Sequence, residues 1–221
     1  MRRTAPPLHR DDPDKDPLVG HVKVTREDWL NVARDILVSD GVAEVKVLTI
    51  ATRLDVSRSS FYWYFKSRKD LLGALLEDWE SWNTRLIAQH CEMDAVTITE
   101  AGCNFFRCFI DPERFDQGLD FAVREWSRRD GSVRSRIDLA DAARLAAIAA
   151  MFERFDFAPL EADARARILY FQQLGYHALD MTEPMPERMK LLEPYLLGFT
   201  GQMPKPEEIA AFNAFAQEKL G

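Results

Sequence analysis

A stretch of 25 residues that begins at Leu48, LTIATRLDVSRSSFYWYFKSRKDLL, constrains the fold more than any other part of the chain. Leu48, Ala51 and Leu54 recur at helical spacing, which predicts a short helix with one apolar face. Asp55 follows where the chain must turn, and Asp tolerates the left-handed backbone conformation better than most residues do. Ser57 has the chemistry of an N-cap for the next helix. The pattern predicts two short helices joined by a tight turn, then a longer helix.

The second of these helices carries side chains that suit duplex DNA. Phe61 and Phe65 lie four residues apart and would hold it against the first helix. The remaining side chains form an outward set: Arg58, Ser59, Tyr62 and Trp63. An arginine just past an N-cap can reach a guanine through two hydrogen bonds. We therefore predict a helix-turn-helix that enters a major groove, against the alternative of a helical hairpin with a solvated basic edge.

Phosphate contacts are expected around this helix. Thr49, at the start of the first helix, and Ser57 carry hydroxyls that can cap backbone N–H groups or donate to phosphate oxygens. Lys66, Arg68 and Lys69 add positive charge before the long helix, together with free backbone N–H groups.

This stretch resembles the DNA-binding domain of the tetracycline-repressor (TetR) family. The resemblance runs from about Thr25 to Leu76 and rests on TIA at 49–51, VS at 56–57, FYWYF at 61–65 and KSRKDLL at 66–72. It implies an all-α homodimer with a small DNA-binding head and a larger ligand-sensing body.

The resemblance also implies roles for single residues. In that family the residues matching Thr49, Tyr62 and Lys69 hold phosphates. Asp55 and Ser59 stand where the family often has Gly, and Tyr64 where it usually has His. The predicted DNA-binding residues are Thr49, Ser57, Arg58, Ser59, Ser60, Tyr62, Trp63, Tyr64, Lys66 and Lys69.

The rest of the chain reads as helices without a convincing strand, so we predict an all-α protein of about ten helices. Residues 1–20, rich in Pro, Asp and Arg, predict a disordered N-terminal arm. Residues 21–70 form the predicted helix-turn-helix domain, whose first helix begins at the capping box of Thr25 and ends at Gly41. Residues 71–221 form the predicted ligand-binding and dimerisation domain.

Charge is distributed unevenly along the chain. The net charge is −7, but residues 1–70 hold 13 basic and 11 acidic residues, a net of +2, and the remainder carries −9. A near-neutral head on an acidic body is compatible with DNA binding through a local patch. The longest apolar run, Leu145 to Phe152, is too short to span a bilayer and no secretory signal is apparent. The expected location is the cytoplasm.

Metal, cofactor and catalytic chemistry are not predicted. Cys91, Cys103 and Cys108 are expected to be free thiols, because their spacing fits neither a disulfide framework nor a metal site. The chain has no Gly-rich phosphate loop, no HExxH motif and no nucleophile elbow. The expectation is a protein without enzymatic activity.

An effector pocket in the body is implied by the resemblance. The aromatic residues of the middle of the chain are by default core, but some would line a pocket for a mostly apolar or aromatic molecule. The predicted lining is Trp82, Phe105, Phe109, Trp126, Phe152, Gln173 and His177.

Dimerisation is expected because two heads one helical turn apart read a palindrome. The predicted interface consists of Ile168, Gln172, Gly175, Ala178, Leu179, Leu192 and Leu196, and the alternative is that these faces pack within one chain. The predicted function is a transcriptional regulator, a repressor that a small molecule releases from its operator. Two alternatives stay open: a DNA-binding regulator controlled by a protein partner, and an enzyme of unrecognised type.

Overall fold

The computed structural model describes residues 24–111, 114–179, 181 and 183–220. Within these residues the chain is all α, with eleven α-helices and no strand, as the sequence predicts. The predicted N-terminal arm, residues 1–20, lies outside the described residues. The α-helices are α1 (Arg26–Asp40), α2 (Val47–Leu54), α3 (Arg68–Trp79), α4 (Arg85–Glu92), α5 (Ile98–Ile110), α6 (Gln117–Ser127), α7 (Gly131–Glu153), α8 (Pro159–Ala178), α9 (Met185–Lys190), α10 (Leu192–Thr200) and α11 (Pro206–Leu220).

Shorter helical segments complete the architecture. Val42–Glu44 and Arg58–Trp63 are 3₁₀-helices, and Glu80–Thr84 is a π-helix between α3 and α4. None of the helices in the described ranges is long and apolar enough to serve as a membrane span.

The chain divides into two compact units, one ending at Asp78 and the other beginning at Trp79. We call them the head and the body. The sequence-based boundary was placed eight residues earlier, after Asp70. Leu71 and Leu75 of α3 are fully buried, and Asp78 forms an ion pair with Arg34 of α1 at 3.0 Å. These contacts explain why most of α3 belongs to the head.

Local signals fix the ends of α1. The Asp28 backbone N–H donates to Thr25 Oγ1 at 3.2 Å, and the Thr25 N–H donates to the Asp28 carboxylate at 2.7 Å. This reciprocal pair is the predicted capping box. Gly41 follows the helix with a φ of 83°, a conformation that glycine adopts without a steric penalty.

Aromatic packing forms the centre of the head. Trp29 of α1 and Phe61 are both fully buried, with ring centroids 5.3 Å apart in an edge-to-face arrangement, and Phe65 stacks on Phe61 at 5.4 Å. Ala51 and Leu54 of α2 are buried as predicted, but Leu48 is 65% exposed and Ile50 takes its place in the core. The prediction for Leu48 is wrong because α2 begins at Val47, so that Leu48 lies on the outer face of the first turn.

The body has two adjacent hydrophobic cores. The larger joins α4, α5, α7 and α8 through residues such as Ile87, Phe105, Phe152 and Tyr170. The smaller joins α5, α10 and α11 and includes Leu192 and Leu196. The three cysteines are free and buried, and burial raises the pKa of the Cys91 and Cys103 thiols to about 12.

A buried ionic network ties α6, α7 and α8 together. Arg144, with no solvent exposure, donates to Asp120 at 2.8 Å and to the Tyr170 hydroxyl at 3.2 Å. Arg124 bridges Asp120 at 3.0 Å and Asp141 at 2.6 Å. Burial alone would raise the pKa of Asp120, but the attraction of Arg144 and Arg124 holds it well below its usual range. Each buried charge therefore has a partner, as a low-dielectric interior requires.

Candidate nucleic-acid interface and ligand cleft

A left-handed residue forms the turn of the helix-turn-helix. Asp55 ends α2 with φ 54° and ψ 46°, as its position after Leu54 predicts. The Val56 N–H donates back to the Ala51 carbonyl at 3.0 Å, which closes the turn. The chain then leaves in extended conformation at Ser57 and enters the next helix.

The second helix of the motif is a 3₁₀-helix from Arg58 to Trp63. The hydrogen bonds of its first turn link residues three apart in the chain. The Ser60 N–H donates to the Ser57 carbonyl at 3.1 Å, and Ser60 Oγ donates to the same carbonyl at 2.7 Å. The prediction that Ser57 caps this helix through its side chain is wrong: its Oγ lies 2.8 Å from Ser59 Oγ instead. Thr49 also does not cap α2, since the N-cap is Lys46.

The 3₁₀-helix separates buried from exposed side chains as predicted. Phe61 is fully buried and Phe65 is 2% exposed, whereas Tyr62 is 54% and Trp63 80% exposed. Arg58 is also exposed. Arg58, Tyr62 and Trp63 together give the head an exposed basic and aromatic surface.

The other predicted DNA-binding residues fall into two groups. Ser57, Ser59, Lys66 and Lys69 are exposed, and Thr49 and Ser60 are half-buried. Tyr64 is half-buried too, and its hydroxyl donates to the Val24 carbonyl at 2.6 Å. This hydrogen bond holds the hydroxyl within the head, and the DNA contact of Tyr64 stays a prediction.

The start of α3 differs from the expected phosphate site. The Arg68 guanidinium donates to the carbonyls of Val42 and Val45, so it holds the loop before α2 although the residue is exposed. Ser67 Oγ accepts from the Asp70 N–H at 3.2 Å, and the Asp70 carboxylate accepts from the Lys66 N–H at 2.9 Å. The backbone donors expected to be free are therefore partly satisfied. Lys66, Arg68 and Lys69 are all exposed.

A cleft opens in the body among α5, α8, α9, α10 and α11. Its empty volume is about 570 Å³, part of which is open to solvent. Its polar lining residues are Gln172, Gln173, Tyr176, Glu183 and Arg188. Its apolar and aromatic lining residues are Phe106, Phe109, Ile110, Met185, Met189, Leu191, Leu192, Tyr195 and Phe212.

A second pocket lies against α6 and the end of α8 and includes Asp120, Arg124 and His177. The charged groups at its base belong to the buried ionic network. His177 packs against the Phe109 ring, with centroids 5.3 Å apart. Burial lowers the pKa of His177 to about 4, so the imidazole is neutral at physiological pH.

Only part of the predicted pocket lining reaches these pockets. Phe109 and Gln173 line the cleft, and His177 lines the second pocket. Phe105 and Phe152 are fully buried in the larger core, so the prediction fails for both.

Two tryptophans of the predicted lining are also misplaced. Trp82 is 56% exposed on the π-helix, where its indole donates to the Arg114 carbonyl. Trp126 is buried beside Asp130, 3.3 Å from that carboxylate. Neither tryptophan lines either pocket. The sequence does offer Tyr176 as a polar group that could orient a ligand, and this residue lines the cleft. Sequence reasoning missed Arg188 and Tyr195, although aromatic and polar residues on the last helices were available as a signal.

The predicted dimer-interface residues fall into an exposed group and a buried group. Ile168 and Leu179 of the α8 segment are 59% and 73% exposed, and Ala178 is exposed. Gly175 is half-buried with open space where a Cβ would lie. Leu192 and Leu196 are 5% and 0% exposed because they fill the smaller core, so the prediction fails for them.

Gln172 of the predicted interface is half-buried and lines the cleft. Its Oε1 atom is buried without a hydrogen-bond partner among the described residues. The side chain therefore contributes to the cleft instead of to an outer surface.

Comparison with known proteins identifies a family that matches part of the chain. Residues 30–75 match the family described as bacterial regulatory proteins, tetR family. No curated protein matches the sequence significantly.

Solved structures share the fold over most of the chain. GusR of Salmonella enterica has 16% sequence identity and a TM-score of 0.54, covering 88% of this chain and 94% of its own. AmtR of Mycobacterium smegmatis has 19% identity and a TM-score of 0.57, covering 92% and 97%. A chain from Mesorhizobium loti MAFF303099, named for the TetR family of transcriptional regulators, has 15% identity and a TM-score of 0.55, covering 86% and 95%.

The head is thus a helix-turn-helix domain with an exposed basic and aromatic face, and it belongs to an all-α DNA-binding protein. Residues 30–75 of this head match the tetR family of bacterial regulatory proteins.

Proposed function

We propose that the protein is a homodimeric repressor that binds a palindromic operator through two copies of its head. The observation that carries this proposal is the exposed set Arg58, Tyr62 and Trp63 above the buried Phe61 and Phe65. Arg58 would read a guanine edge, while Tyr62 and the exposed Lys69 would contact phosphates. Because bacterial DNA lies in the cytoplasm, this role implies a cytoplasmic protein. We assign no catalytic activity to it.

Replacing Arg58 and Lys69 separately tests the proposed division of labour. Fluorescence anisotropy with the DNA upstream of the protein's own reading frame would give affinity and its salt dependence. Arg58→Ala should reduce the preference for that DNA over random DNA by about tenfold or more, since a bidentate base contact contributes ~1–3 kcal/mol. Lys69→Ala should weaken binding to both DNAs alike and reduce the salt slope by about two per dimer.

Arg134→Ala is the matched control, because Arg134 is an exposed arginine of the body whose ion pair, among the described residues, is with Asp138 on its own helix. Its variant should bind like the wild type. An Arg58→Ala protein that keeps its full sequence preference would overturn the assignment of base readout. A chain that fails to bind its upstream DNA more tightly than random DNA at low salt would overturn the operator proposal at that site.

The outer face of α8 supports the proposed dimer. Leu160, Ile168, Phe171 and Leu179 are 84%, 59%, 52% and 73% exposed and follow helical spacing. A row of large apolar side chains in solvent is a signature of an interface. We propose that this face meets the same face of a second chain around a two-fold axis.

A charge on the α8 face tests the dimer. Phe171→Glu should convert the dimer to a monomer in sedimentation velocity experiments and should lower operator affinity. Val96→Glu is the control, since Val96 is 84% exposed in the loop before α5. A Phe171→Glu protein that sediments like wild type would exclude this face as the interface.

An effector in the body cleft would release the operator by shifting a population of conformations. Release requires that the effector bind the DNA-incompetent state more tightly than the DNA-competent state. The support for this proposal is the apolar cleft with a small number of convergent polar groups, which is the usual composition of small-molecule sites.

A further inference from the structure

Arg188 of α9 differs from the other half-buried arginines of the body. Within the part of the chain that the structure describes, each of the others donates to a side-chain oxygen at 2.6 to 3.0 Å. These pairs are Arg107 with Asn104, Arg124 with Asp141, Arg136 with Glu80 and Arg165 with Glu161. The Arg188 guanidinium has no such acceptor among the described residues and lies 4.6 Å from the centre of the Tyr176 ring. A positive charge that has lost part of its hydration without gaining an acceptor favours binding of an anion.

The acidic residue of the cleft is engaged elsewhere on Tyr176. The Glu183 carboxylate accepts from the Tyr176 hydroxyl at 2.6 Å, whereas Arg188 contacts the face of the ring. No ion pair joins Glu183 to Arg188 in the described ranges. Glu183 therefore already has a donor, and Arg188 is the charged group of the lining that still lacks a polar partner.

The position of Arg188 places this charge beside apolar and aromatic walls. Phe106, Phe109, Tyr195 and Met189 line the same cleft, whose empty volume is about 570 Å³, part of it open to solvent. Aromatic rings provide large, stiff contact surfaces, and methionine adapts its shape to irregular neighbours. A guest that fits both features has a flat carbon body and one anionic end.

We infer that the effector is an aromatic carboxylate whose carboxylate group pairs with the Arg188 guanidinium. This inference rests on the proposed function, because it names the class of molecule that acts at the proposed effector site. A guanidinium that stacks on an aromatic face keeps the N–H donors at its edge for an acceptor in its own plane. Two of these donors match the two oxygens of a carboxylate. A cationic guest would instead have to share Glu183 with the Tyr176 hydroxyl and would lie near the Arg188 charge.

Three related probes test this inference by isothermal titration calorimetry at neutral pH, on the full chain without DNA. They share a naphthalene body and differ in one group: 2-naphthoate is an anion, 2-naphthamide is a neutral molecule of nearly the same shape, and 2-naphthylmethylammonium is a cation. The wild-type protein should bind the naphthoate about tenfold more tightly than the amide, since hydrogen bonds between charged groups are the stronger ones. The cation should bind more weakly than the naphthoate.

Arg188→Gln should remove the preference for the anion, so that naphthoate and naphthamide bind about equally while the affinity for the amide stays close to that of the wild type. Arg188→Lys keeps the charge but loses the planar pair of donors, so its affinity for naphthoate should lie between those of Arg188→Gln and the wild type. Arg134→Gln is the matched control, because it removes one positive charge from an exposed site of α7 outside the cleft. It should keep the preference for the anion.

Equal affinities of naphthoate and naphthamide for the wild-type protein would overturn the inference, as would tightest binding of the cation or binding of none of the three probes. A folded Arg188→Gln protein that keeps the full preference for naphthoate would overturn the assignment of Arg188. If that variant does not fold, the wild-type series and Arg188→Lys still decide. Because no DNA is present, failure here with intact operator binding refutes only the effector class. Probe binding without operator binding would refute the proposed regulator instead.

Discussion

Replacing Arg144 by methionine tests whether the buried ionic network governs the stability of the body. The Arg144 guanidinium donates to Asp120 at 2.8 Å, to Thr84 Oγ1 at 3.1 Å and to the Tyr170 hydroxyl at 3.2 Å. It also lies 5.3 Å from the centre of the Trp79 ring. Methionine keeps a long, flexible apolar stem but removes the charge and all of the donors.

The size of the expected loss of stability depends on the partners that Asp120 retains in the variant. Removing one partner of a buried ion pair costs ~3–5 kcal/mol. In the variant, Asp120 still has Arg124 at 3.0 Å and the Trp79 indole donor at 2.8 Å. We therefore expect the lower end, about 3 kcal/mol in the free energy of unfolding, which corresponds to a fall in Tm of ~6–12 °C for a chain of this size.

The loss should depend on pH in a defined direction. The pKa of Asp120 is held below its usual range in the native protein by Arg144 and Arg124, against the opposing effect of burial. A carboxylate of this kind contributes stability above its unfolded pKa of about 3.9, and that stability is lost as the pH falls through the native pKa. The difference between wild type and Arg144→Met should therefore be full at pH 7 and should shrink below about pH 4.

Urea unfolding followed by circular dichroism at pH 7 and pH 3.5 measures both effects. Arg134→Met is the control, because Arg134 is 65% exposed and its loss should leave the midpoint nearly unchanged. Adding Asp120→Asn to Arg144→Met should recover part of the stability by removing the underpaired charge. A loss of less than ~1 kcal/mol at pH 7, or an equal loss at both pH values, would refute the reasoning.

Three further predictions concern single residues. Asp55→Gly should be tolerated, whereas Asp55→Val should destabilise the head by ~1–2 kcal/mol in thermal unfolding, because β-branched residues fit the left-handed conformation poorly. Burial raises the pKa of all three thiols, Cys91, Cys103 and Cys108. They should therefore resist a thiol reagent such as DTNB at pH 8 in the native protein and react with it in denaturant. Rapid labelling of the native protein would contradict this prediction. The lowered pKa of His177, about 4, predicts that the native protein becomes more stable as the pH rises from 4 to about 6.5. In urea unfolding, His177→Gln should reduce this dependence of stability on pH. An unchanged dependence would exclude His177 as its source.

Several features of the head were predictable because short-range interactions decide them. The capping box at Thr25, the glycine that ends α1 and the left-handed Asp55 depend on atoms a few residues apart. Once Phe61 and Phe65 are placed in the core, the spacing of the residues leaves the Tyr62 and Trp63 side chains exposed. The error at Leu48 arose because the start of a short helix shifts by a residue or two at little local cost. Ser57 does occupy the predicted N-cap position, but its Oγ pairs with Ser59 Oγ instead of with a backbone N–H.

The body was less predictable because many of its helices offer more than one apolar face. The sequence does not state which face meets which neighbour, so Phe105 and Phe152 were predicted to line a pocket and Leu192 to form an interface. All three pack within the chain. The cleft residues Tyr176 and Arg188 become neighbours only when α8 and α9 are placed side by side.

The sequence by itself determined the helical class of this protein, the two-helix motif of its head and the regulator family that residues 30–75 match. Local hydrogen bonding and side-chain spacing contain that information. The tertiary structure alone decided which helix faces are buried, that Asp120 and Arg144 neutralise each other, and that Gln172 Oε1 has no hydrogen-bond partner within the part of the chain that the structure describes. Those outcomes depend on contacts between residues far apart in the chain, where packing, rather than sequence proximity, sets the partners.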